Sequence, residues 1–483
     1  VRGELMQKVG NKPYISVNYT FDGLTPAGLP EDLCYKLNQY YEQKLRQDKT
    51  AHDKIEFEII FNTYDFMTDT RLKELAEYGF DDVEISQLRN ALFEIAKQTL
   101  EHYDEICEED LRSLGQLTEL RHELRKHSPL AETNVMKLYS YIDELLDSIK
   151  DHGTPQFTRQ ARCAFMARSF CRTLVEKGYF TKQEMDDFML SIPTVASEFE
   201  RDFDLYSHGK LSRDDFNHLY GHLRLGTYDI RSDSYRNIYF DVASANLTGN
   251  NKVKQEAKSL DLERLQVALD EAGIPVTPEK FIEFIKKATQ NREYFKFEFT
   301  KSLSLMLDVI VKLGEVMAIA REDMSYLEIQ DLLSYHSRDS YIQTIETRRR
   351  FYHVNSYLVL PEVIFDVGDI DVIDIDEARP NFITNKVVEA PIVNLDEDHD
   401  SDITGKIVVL TKADPGYDWI FAKDIAGFVT KYGGAASHMA IRCAEFGIPA
   451  AIGCGEKIYQ RIHRMQIMCL DCENGRITEK QSQ

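Results

Sequence analysis

One segment near the C-terminal end combines a glycine pair, a helix-capping residue and a histidine. It contains Thr430, Gly433, Gly434, Ser437 and His438. The glycines let the backbone approach a bulky ligand, and serine is a favoured N-cap for a helix that starts at the histidine. A helix N-terminus favours anions and disfavours a protonated imidazole, so we expect a neutral histidine that can attack phosphorus. The alternative is a histidine that only begins a helix, and the residues alone support no more than a candidate anion-linked histidine.

Two glycine-containing segments earlier in the chain are further candidates for binding. They span residues 151–156 and 220–229 and interrupt a long helical pattern. Loops of this kind often carry binding residues. The spacing by itself favours ordinary connections between helices.

The surrounding patterns predict the elements that position these residues. From about residue 69 to 352 the pattern is helical, with a capping box at Thr181–Glu184, a helix that ends at Gly273 and a further helix that starts at Thr277–Glu279. After about residue 360, short β-branched runs predict strands at 387–393, 406–410, 425–430, 448–452 and 466–470. Near the N-terminus we expect strands at 13–19 and 55–61 and a loop at 23–30. The fold class is therefore multidomain α+β, with a mostly helical domain followed by a small α/β domain.

Charge supports a boundary between two domains. The 483 residues carry a net charge of -23, of which -21 falls before Arg379 and -2 from Arg379 onward. We therefore expect a mostly helical substrate domain over residues 1–375 and a second domain over 376–483. The nearly neutral second domain can receive an anion at lower electrostatic cost.

The composition also excludes several classes of partner and site. The acidic balance argues against nucleic acid or an anionic membrane, since both require clustered positive charge. We find no membrane-spanning stretch, no signal peptide and no disulfide pattern among the eight cysteines, so we expect a cytoplasmic chain. Cys469 and Cys472 form a lone C-x-x-C pair, which we interpret as packing residues because a zinc site needs four ligands. We therefore predict no metal site.

The histidine segment resembles the phosphohistidine signature of the phosphoenolpyruvate-utilising enzymes, a family that includes phosphoenolpyruvate synthase, pyruvate phosphate dikinase and rifampicin phosphotransferase. Asp414 to Tyr417 is similar to the D-P-G-W turn of the same domains, whereas the family's arginine falls on Ala444 and Arg442 lies two residues earlier. The resemblance implies that His438 is phosphorylated and moves on a swivelling domain. The signature is matched at Thr430, Gly433, Gly434, Ser437, His438, Ala440, Ile441, Gly447, Ile448, Pro449 and Ala450.

Residues 152–162 and 220–229 resemble segments of the substrate half of rifampicin-phosphotransferase-like proteins, whereas residues 13–17 and the layout of the whole chain look most similar to the L-glutamine kinases of capsular phosphoramidate synthesis. That resemblance implies that ATP phosphorylates His438, releasing AMP and phosphate, and that the phosphoryl group passes to the side-chain amide of L-glutamine. Arginines would clamp the phosphoryl group in bidentate fashion, with histidines handling protons and an aspartate holding the amino group of the substrate. The candidates are His152, Arg159, Arg162, His222, Arg224 and Asp229.

The resemblance also implies an ATP-grasp domain as a partner, with ATP and Mg²⁺ bound there. We find no convincing phosphate loop in residues 1–378 and expect a chain that lacks this domain. The alternatives are another acceptor, such as an antibiotic hydroxyl or pyruvate, and a phosphocarrier that acts on a partner protein.

Overall fold

The computed structural model describes residues 5–224, 228–237, 259–355, 360–366, 368–371, 380–397, 401–412, 415–435 and 437–480. The predicted domain boundary at 375/376 and Asp414 of the predicted turn lie outside these residues. None of the helices in the described parts of the chain has both the length and the apolar composition that a membrane crossing requires.

The first part of the chain is a helical domain that begins with a two-stranded hairpin, β1 (Met6–Val9) and β2 (Lys12–Ile15). Its helices are α1 (Val17–Leu24), α2 (Glu31–Gln47), α3 (Thr68–Arg71), α4 (Asp82–Lys126), α5 (Val135–His152), α6 (Thr154–Glu176), α7 (Lys182–Leu190), α8 (Val195–Ser207), α9 (Arg213–Tyr220), α10 (Leu262–Ala272), α11 (Pro278–Val316), α12 (Arg321–Met324), α13 (Ile329–Leu333), α14 (Arg338–Asn355) and α15 (Gly368–Asp371).

A bundle of four long helices forms the centre of this domain. Helix α11 packs against α4, α5 and α6, and their apolar faces meet in two clusters. The first cluster contains Leu88 and Phe170, and the second contains Leu145 and Leu313. Such burial of apolar surface is the main stabilising contribution to a helical bundle. The bundle gives the cavity described below a rigid wall, because α11 runs through both clusters.

The C-terminal part, residues 380–480, is an α/β domain built on a seven-stranded sheet. Its strands are β3 (Asn381–Ile383), β4 (Val387–Asn394), β5 (Ile407–Lys412), β6 (Gly427–Tyr432), β7 (Ala450–Ile452), β8 (Ile467–Asp471) and β9 (Arg476–Glu479), in the spatial order β3-β7-β6-β5-β4-β8-β9. Strands β4 to β7 are parallel, and the outer strands are antiparallel to their neighbours. Helix α16 (His438–Phe446) connects β6 to β7, and helix α17 (Gly455–Ile462) connects β7 to β8. The predicted fold class and the five predicted C-terminal strands are confirmed.

Several local predictions are also confirmed. Thr181 and Glu184 form a capping box at the start of α7. Gly273 ends α10 with a left-handed backbone, φ +67°. Thr277 accepts a hydrogen bond from the Lys280 N–H at the start of α11. These signals are local, so the sequence carries them without knowledge of the tertiary structure.

Three predictions about local structure are wrong. The predicted strand at 55–61 is a π-helical turn, Ile55–Ile59, and buries Ile55 and Ile59. The predicted strand at 13–19 ends at Ile15, because Ser16 caps α1 through the Tyr19 N–H. The interruption at 151–156 is reduced to Gly153 between α5 and α6, where a Cβ would lie 2.9 Å from the Ile149 carbonyl oxygen.

Candidate functional site

His438 begins helix α16 at the carboxyl end of the parallel strand β6. The Ser437 hydroxyl accepts a hydrogen bond from the Ala440 N–H at 3.3 Å, which confirms the predicted N-cap. Gly447 ends the helix in a left-handed conformation. The sequence thus folds locally as strand, glycine loop, capped helix and glycine stop, with the imidazole at the tip of the domain.

The loop between β6 and α16 is fixed by contacts with the end of β7. The buried Thr430 hydroxyl accepts a hydrogen bond from the Gly453 N–H at 3.2 Å. Gly453 has φ +75°, and a Cβ there would lie 2.3 Å from the Gly433 carbonyl oxygen. Gly434 lies against the helical domain, where a Cβ would be 3.1 Å from Asp53 Oδ2. Position 453 therefore requires glycine, and position 434 leaves little room for a side chain between the loop and Asp53.

Two carboxylates hold the imidazole of His438. Its Nε2 lies 2.7 and 2.8 Å from the two oxygens of Asp418, which belongs to the same domain. Its Nδ1 lies 3.3 Å from Glu293 Oε2 on α11 of the helical domain. The three side chains are only 8 to 14% exposed, so water screens these contacts poorly.

The carboxylates favour the protonated imidazole. Burial lowers the pKa of His438, but the charge and hydrogen bond of Asp418, followed by those of Glu293, outweigh it and raise the pKa to about 9. Burial also raises the pKa of Glu293, but the hydrogen bond from His438 and nearby cations hold it well below its ordinary value. The expectation of a neutral His438 is therefore wrong for this arrangement, because two nearby charges outweigh a helix dipole that is worth only about 0.3–1 kcal/mol.

A buried arginine, Arg442, lies beside the carboxylate of Asp418. Arg442 Nη1 donates to Glu445 at 2.9 Å and Nη2 donates to the Ala196 carbonyl of the helical domain at 3.2 Å. Its Nε lies 3.6 Å from Asp418 Oδ1, and its guanidinium carbon lies 4.3 Å from the centre of the Phe446 ring. Arg442 thus joins the two domains and places positive charge beside Asp418.

The helical domain adds two cations close to Glu293. Arg292 Nη1 lies 3.0 Å from Glu293 Oε1, and Lys296 is one turn further along α11. Lys296, Glu293, Asp418 and His438 line a cavity of about 50 Å³ between the domains. The remaining walls are largely apolar: Val195, Ala196, Phe199, Leu223, Tyr228, Phe297 and Thr300.

The structure places three of the predicted candidates in contacts away from this cavity. His152 lies at the end of α5, and its Nδ1 is 2.9 Å from the hydroxyl of Ser113 on α4. Arg159 is paired with Glu109 and the buried Asp110. Arg162 donates to the carbonyl groups of Gly23 and Leu24 and lines a separate open cleft. None of the three is among the residues that line the His438 cavity.

The other three candidates lie on or near the segment that follows α9. Arg224 is buried and forms an ion pair with Asp308, and it also donates to Ser304 and to the Ser232 carbonyl. These contacts occupy its guanidinium, so it anchors the loop. Asp229 is paired with Arg231 at 2.6 Å. His222 is buried against Phe297, which lines the cavity.

The site contains four residues that the sequence did not single out: Asp418, Glu293, Arg292 and Lys296. Asp418 directly follows the turn that resembles D-P-G-W and could have been noticed there. The other three lie on α11, about 145 positions before His438, and no local pattern distinguishes them from ordinary helix residues. Within the described residues, no group of three or more His, Cys, Asp or Glu side chains could hold a metal ion.

Comparison with known proteins agrees with the geometry of the C-terminal domain. Residues 403–475 match the profile of the PEP-utilising enzyme mobile domain, and they contain both Asp418 and His438. This segment is similar to the mobile domain of the PEP-utilising enzymes, and we name the α/β domain of residues 380–480 the mobile domain after that similarity. The mobile domain therefore brings its own carboxylate to the histidine, whereas Glu293 belongs to the helical domain on which the mobile domain is docked.

Two curated relatives extend the similarity beyond the mobile domain. The chain is 28% identical over 222 residues to a rifampicin phosphotransferase of Bacillus subtilis (strain 168), which covers 42% of this chain and 24% of the relative. It is 26% identical over 212 residues to a rifampicin phosphotransferase of Bacillus cereus, covering 40% of this chain and 24% of that relative. The matched region is thus about a quarter of each relative. These matches support a place in the PEP-utilising enzyme family.

Proposed function

We propose that this chain is the acceptor-binding and histidine-bearing part of a phosphotransferase. His438 takes a phosphoryl group from ATP and transfers it to a small acceptor in the helical domain. In the overall reaction, ATP, water and the acceptor give AMP, phosphate and the phosphorylated acceptor. The observation that carries the proposal is the position of His438, on a mobile domain and in the wall of a cavity formed with the helical domain.

The geometry supports a cycle in which docking controls the nucleophile. A histidine nitrogen attacks phosphorus through a lone pair, yet both nitrogens face carboxylates in the docked arrangement. Separation of the domains removes Glu293 and leaves Asp418 with the histidine. Nδ1 then loses its partner on the helical domain. Undocking thus favours phosphorylation, because Nδ1 can then present the lone pair that attacks phosphorus.

Docking of the phosphorylated domain presents the group to the acceptor. A phosphoryl group on His438 adds negative charge beside Asp418 and Glu293, and the nearby cations Lys296, Arg292 and Arg442 offset that charge. Phosphoryl transfer depends chiefly on positioning and on stabilisation of charge. The apolar cavity walls exclude water that would compete with the acceptor for the phosphoryl group.

L-Glutamine is the acceptor that we favour, with its side-chain amide as the receiving group. The support is the similarity of the whole-chain layout to L-glutamine kinases. ATP with Mg²⁺ would bind to an ATP-grasp domain, and the described residues need only supply the histidine and the acceptor site. An antibiotic hydroxyl is the second candidate acceptor, supported by the similarity to rifampicin phosphotransferases.

The acceptor is tested by following the reaction of the complete natural protein with ATP by phosphorus NMR. With L-glutamine present, we expect signals of AMP, of phosphate and of a phosphoramidate in which phosphorus is bonded to the side-chain amide nitrogen of glutamine. If glutamine gives no phosphoramidate and a hydroxyl compound gives a phosphate ester, then glutamine is not the acceptor and the hydroxyl compound is. A thermal shift of this chain with L-glutamine gives an independent measure, because ligand binding stabilises the folded state.

A further inference from the structure

A second group of basic side chains surrounds His222, next to the cavity. Phe297 lines the cavity, and its ring centre lies 4.6 Å from that of His222. The Lys301 ammonium group lies 4.6 Å from the centre of the same ring. The positive charges that act on His222 are Lys301, Arg121, Arg236 and Arg125, and these five residues form the His222 basic cluster.

The cluster carries more positive than negative charge. Glu298 accepts from Arg121 at 3.1 Å and from Lys301 at 2.5 Å. Arg125 and Arg236 have no side-chain hydrogen bond or ion pair to any other described residue. Among the described residues, Glu298 is thus the one carboxylate paired with these four cations, and it contacts only two of them. Burial together with the neighbouring arginines lowers the pKa of Arg125. Like charges brought together in this way repel one another unless an anion joins them.

The histidine in the cluster has an unused polar atom. His222 is 4% exposed, and its buried Nε2 has no hydrogen-bond partner among the described residues. Burial and the surrounding cations lower the pKa of His222 well below its ordinary value, so the ring is neutral. A neutral imidazole that carries its proton on Nε2 can donate that proton to an anion. This buried atom therefore has an open hydrogen-bonding position beside the surrounding cations, which an anion could fill.

The backbone around the cluster is fixed before any ligand binds. The Tyr235 N–H donates to the Leu223 carbonyl at 2.8 Å, and the Arg236 N–H donates to the Gly221 carbonyl at 3.3 Å. A Cβ at Gly221 would lie 2.6 Å from Arg236 Cγ, so glycine leaves room for the arginine side chain. The ion pair of Arg224 with Asp308 ties the same segment to α11. The positions of His222 and Arg236 are therefore held by the fold.

We propose that the His222 basic cluster binds an oxyanion, a carboxylate or a phosphate group of a small molecule. The planar forks of Arg125 and Arg236 match the paired oxygens of such groups, and Lys301 adds a point charge. The contact of Phe297 with both the cavity and His222 puts the bound anion one ring away from the phosphotransfer site. The inference stands on the charge and burial of the cluster, and it holds whether or not His438 carries a phosphoryl group.

The test is a titration of this chain, labelled with ¹³C-histidine, at constant ionic strength. Separate arms receive inorganic phosphate, L-glutamine and chloride, and the His222 signal is assigned with the His222→Gln variant. We expect saturable shifts of His222 with phosphate, with glutamine or with both, and none with chloride. A response to phosphate alone indicates a phosphate ligand, and a response to glutamine alone indicates a carboxylate ligand. No saturable response to either would overturn the proposal.

Matched variants separate a binding role from a structural one. Arg236→Gln and Arg125→Gln should each weaken binding about tenfold or more, since each removes a charge-assisted contact. Arg350→Gln on α14 is an exposed control outside the cluster and should leave the affinity unchanged. The His438 signal reports folding in each variant. Equal affinity in all three variants, with folding intact, would contradict the site.

Discussion

The substitution Glu293→Gln isolates the contribution of the helical domain to the state of His438. Glu293 lies 3.3 Å from Nδ1, whereas Asp418 belongs to the mobile domain and remains in the variant. The amide keeps the shape of the side chain and removes its charge. We therefore expect the pKa of His438 to fall, because a nearby carboxylate stabilises the imidazolium.

The size of the effect follows from the pKa of about 9, compared with the ordinary 6.5. The difference corresponds to about 3 kcal/mol of preference for the charged form. Asp418 supplies the larger share and Glu293 the smaller, so we expect a fall of about one pKa unit, ~1.4 kcal/mol. At pH 7 the neutral fraction of His438 should rise from about 1% to about 10%.

The assay is a pH titration of the His438 carbon signals in ¹³C-histidine-labelled protein. The His438→Asn variant assigns the signals. Glu283→Gln is the control, because Glu283 lies on the same helix and is exposed. An unchanged titration of His438 in Glu293→Gln would refute the docked geometry, since the charge that acts on Nδ1 would then come from elsewhere.

Three further predictions concern stability. Because the pKa of His438 is raised, the stability that its charge contributes is complete below about pH 6.5 and is lost as the pH rises through about 9. The melting temperature of the wild-type protein should therefore fall more over this pH range than that of His438→Asn. Equal falls in the two proteins would contradict the role of His438 protonation in stability. Gly453→Ala should lower the free energy of unfolding of the mobile domain by several kcal/mol, because the new Cβ would overlap the Gly433 carbonyl. The control Gly405→Ala has φ +68° and open space around it, so it should lower the free energy of unfolding in urea by only about 1 kcal/mol. Similar losses of stability in the two variants would count against close packing at Gly453. Arg442→Met should lower the free energy of unfolding by about 3 kcal/mol, because it leaves Glu445 without its cation. Adding Glu445→Gln to this variant should recover part of the lost stability. If no stability is recovered, the effect of Arg442→Met comes from lost packing instead.

Much of the local structure around His438 could be predicted from the sequence. The Ser437 cap, the glycine stop and the β-branched strands are signals that each act within a few residues. The π-helical turn at Ile55–Ile59 was mistaken for a strand because its apolar and acidic residues alternate over a short distance. No strand within the described ranges lies beside it to pair with it, and only tertiary structure reveals that.

The electrostatic environment of His438 could not be predicted in the same way. Glu293 is distant in sequence, and its approach depends on how the mobile domain docks on α11. Arginine roles were also ambiguous, because an arginine that binds a ligand and one that anchors a loop look alike in a motif. Arg224 illustrates the point, since its ion pair with Asp308 accounts for its burial. Arg159 and Arg162 have partners far along the chain that no spacing rule indicates.

The central claim is that His438 carries the phosphoryl group, and one labelling experiment tests it most directly. The complete natural protein is incubated with ATP in the absence of an acceptor, and the protein-bound phosphorus is examined by NMR and by its stability in acid and alkali. We predict a phosphohistidine signal that is labile in acid, stable in alkali and absent from His438→Asn. A signal that persists in His438→Asn, or a wild-type protein that forms no phosphohistidine while it consumes ATP, would contradict the account.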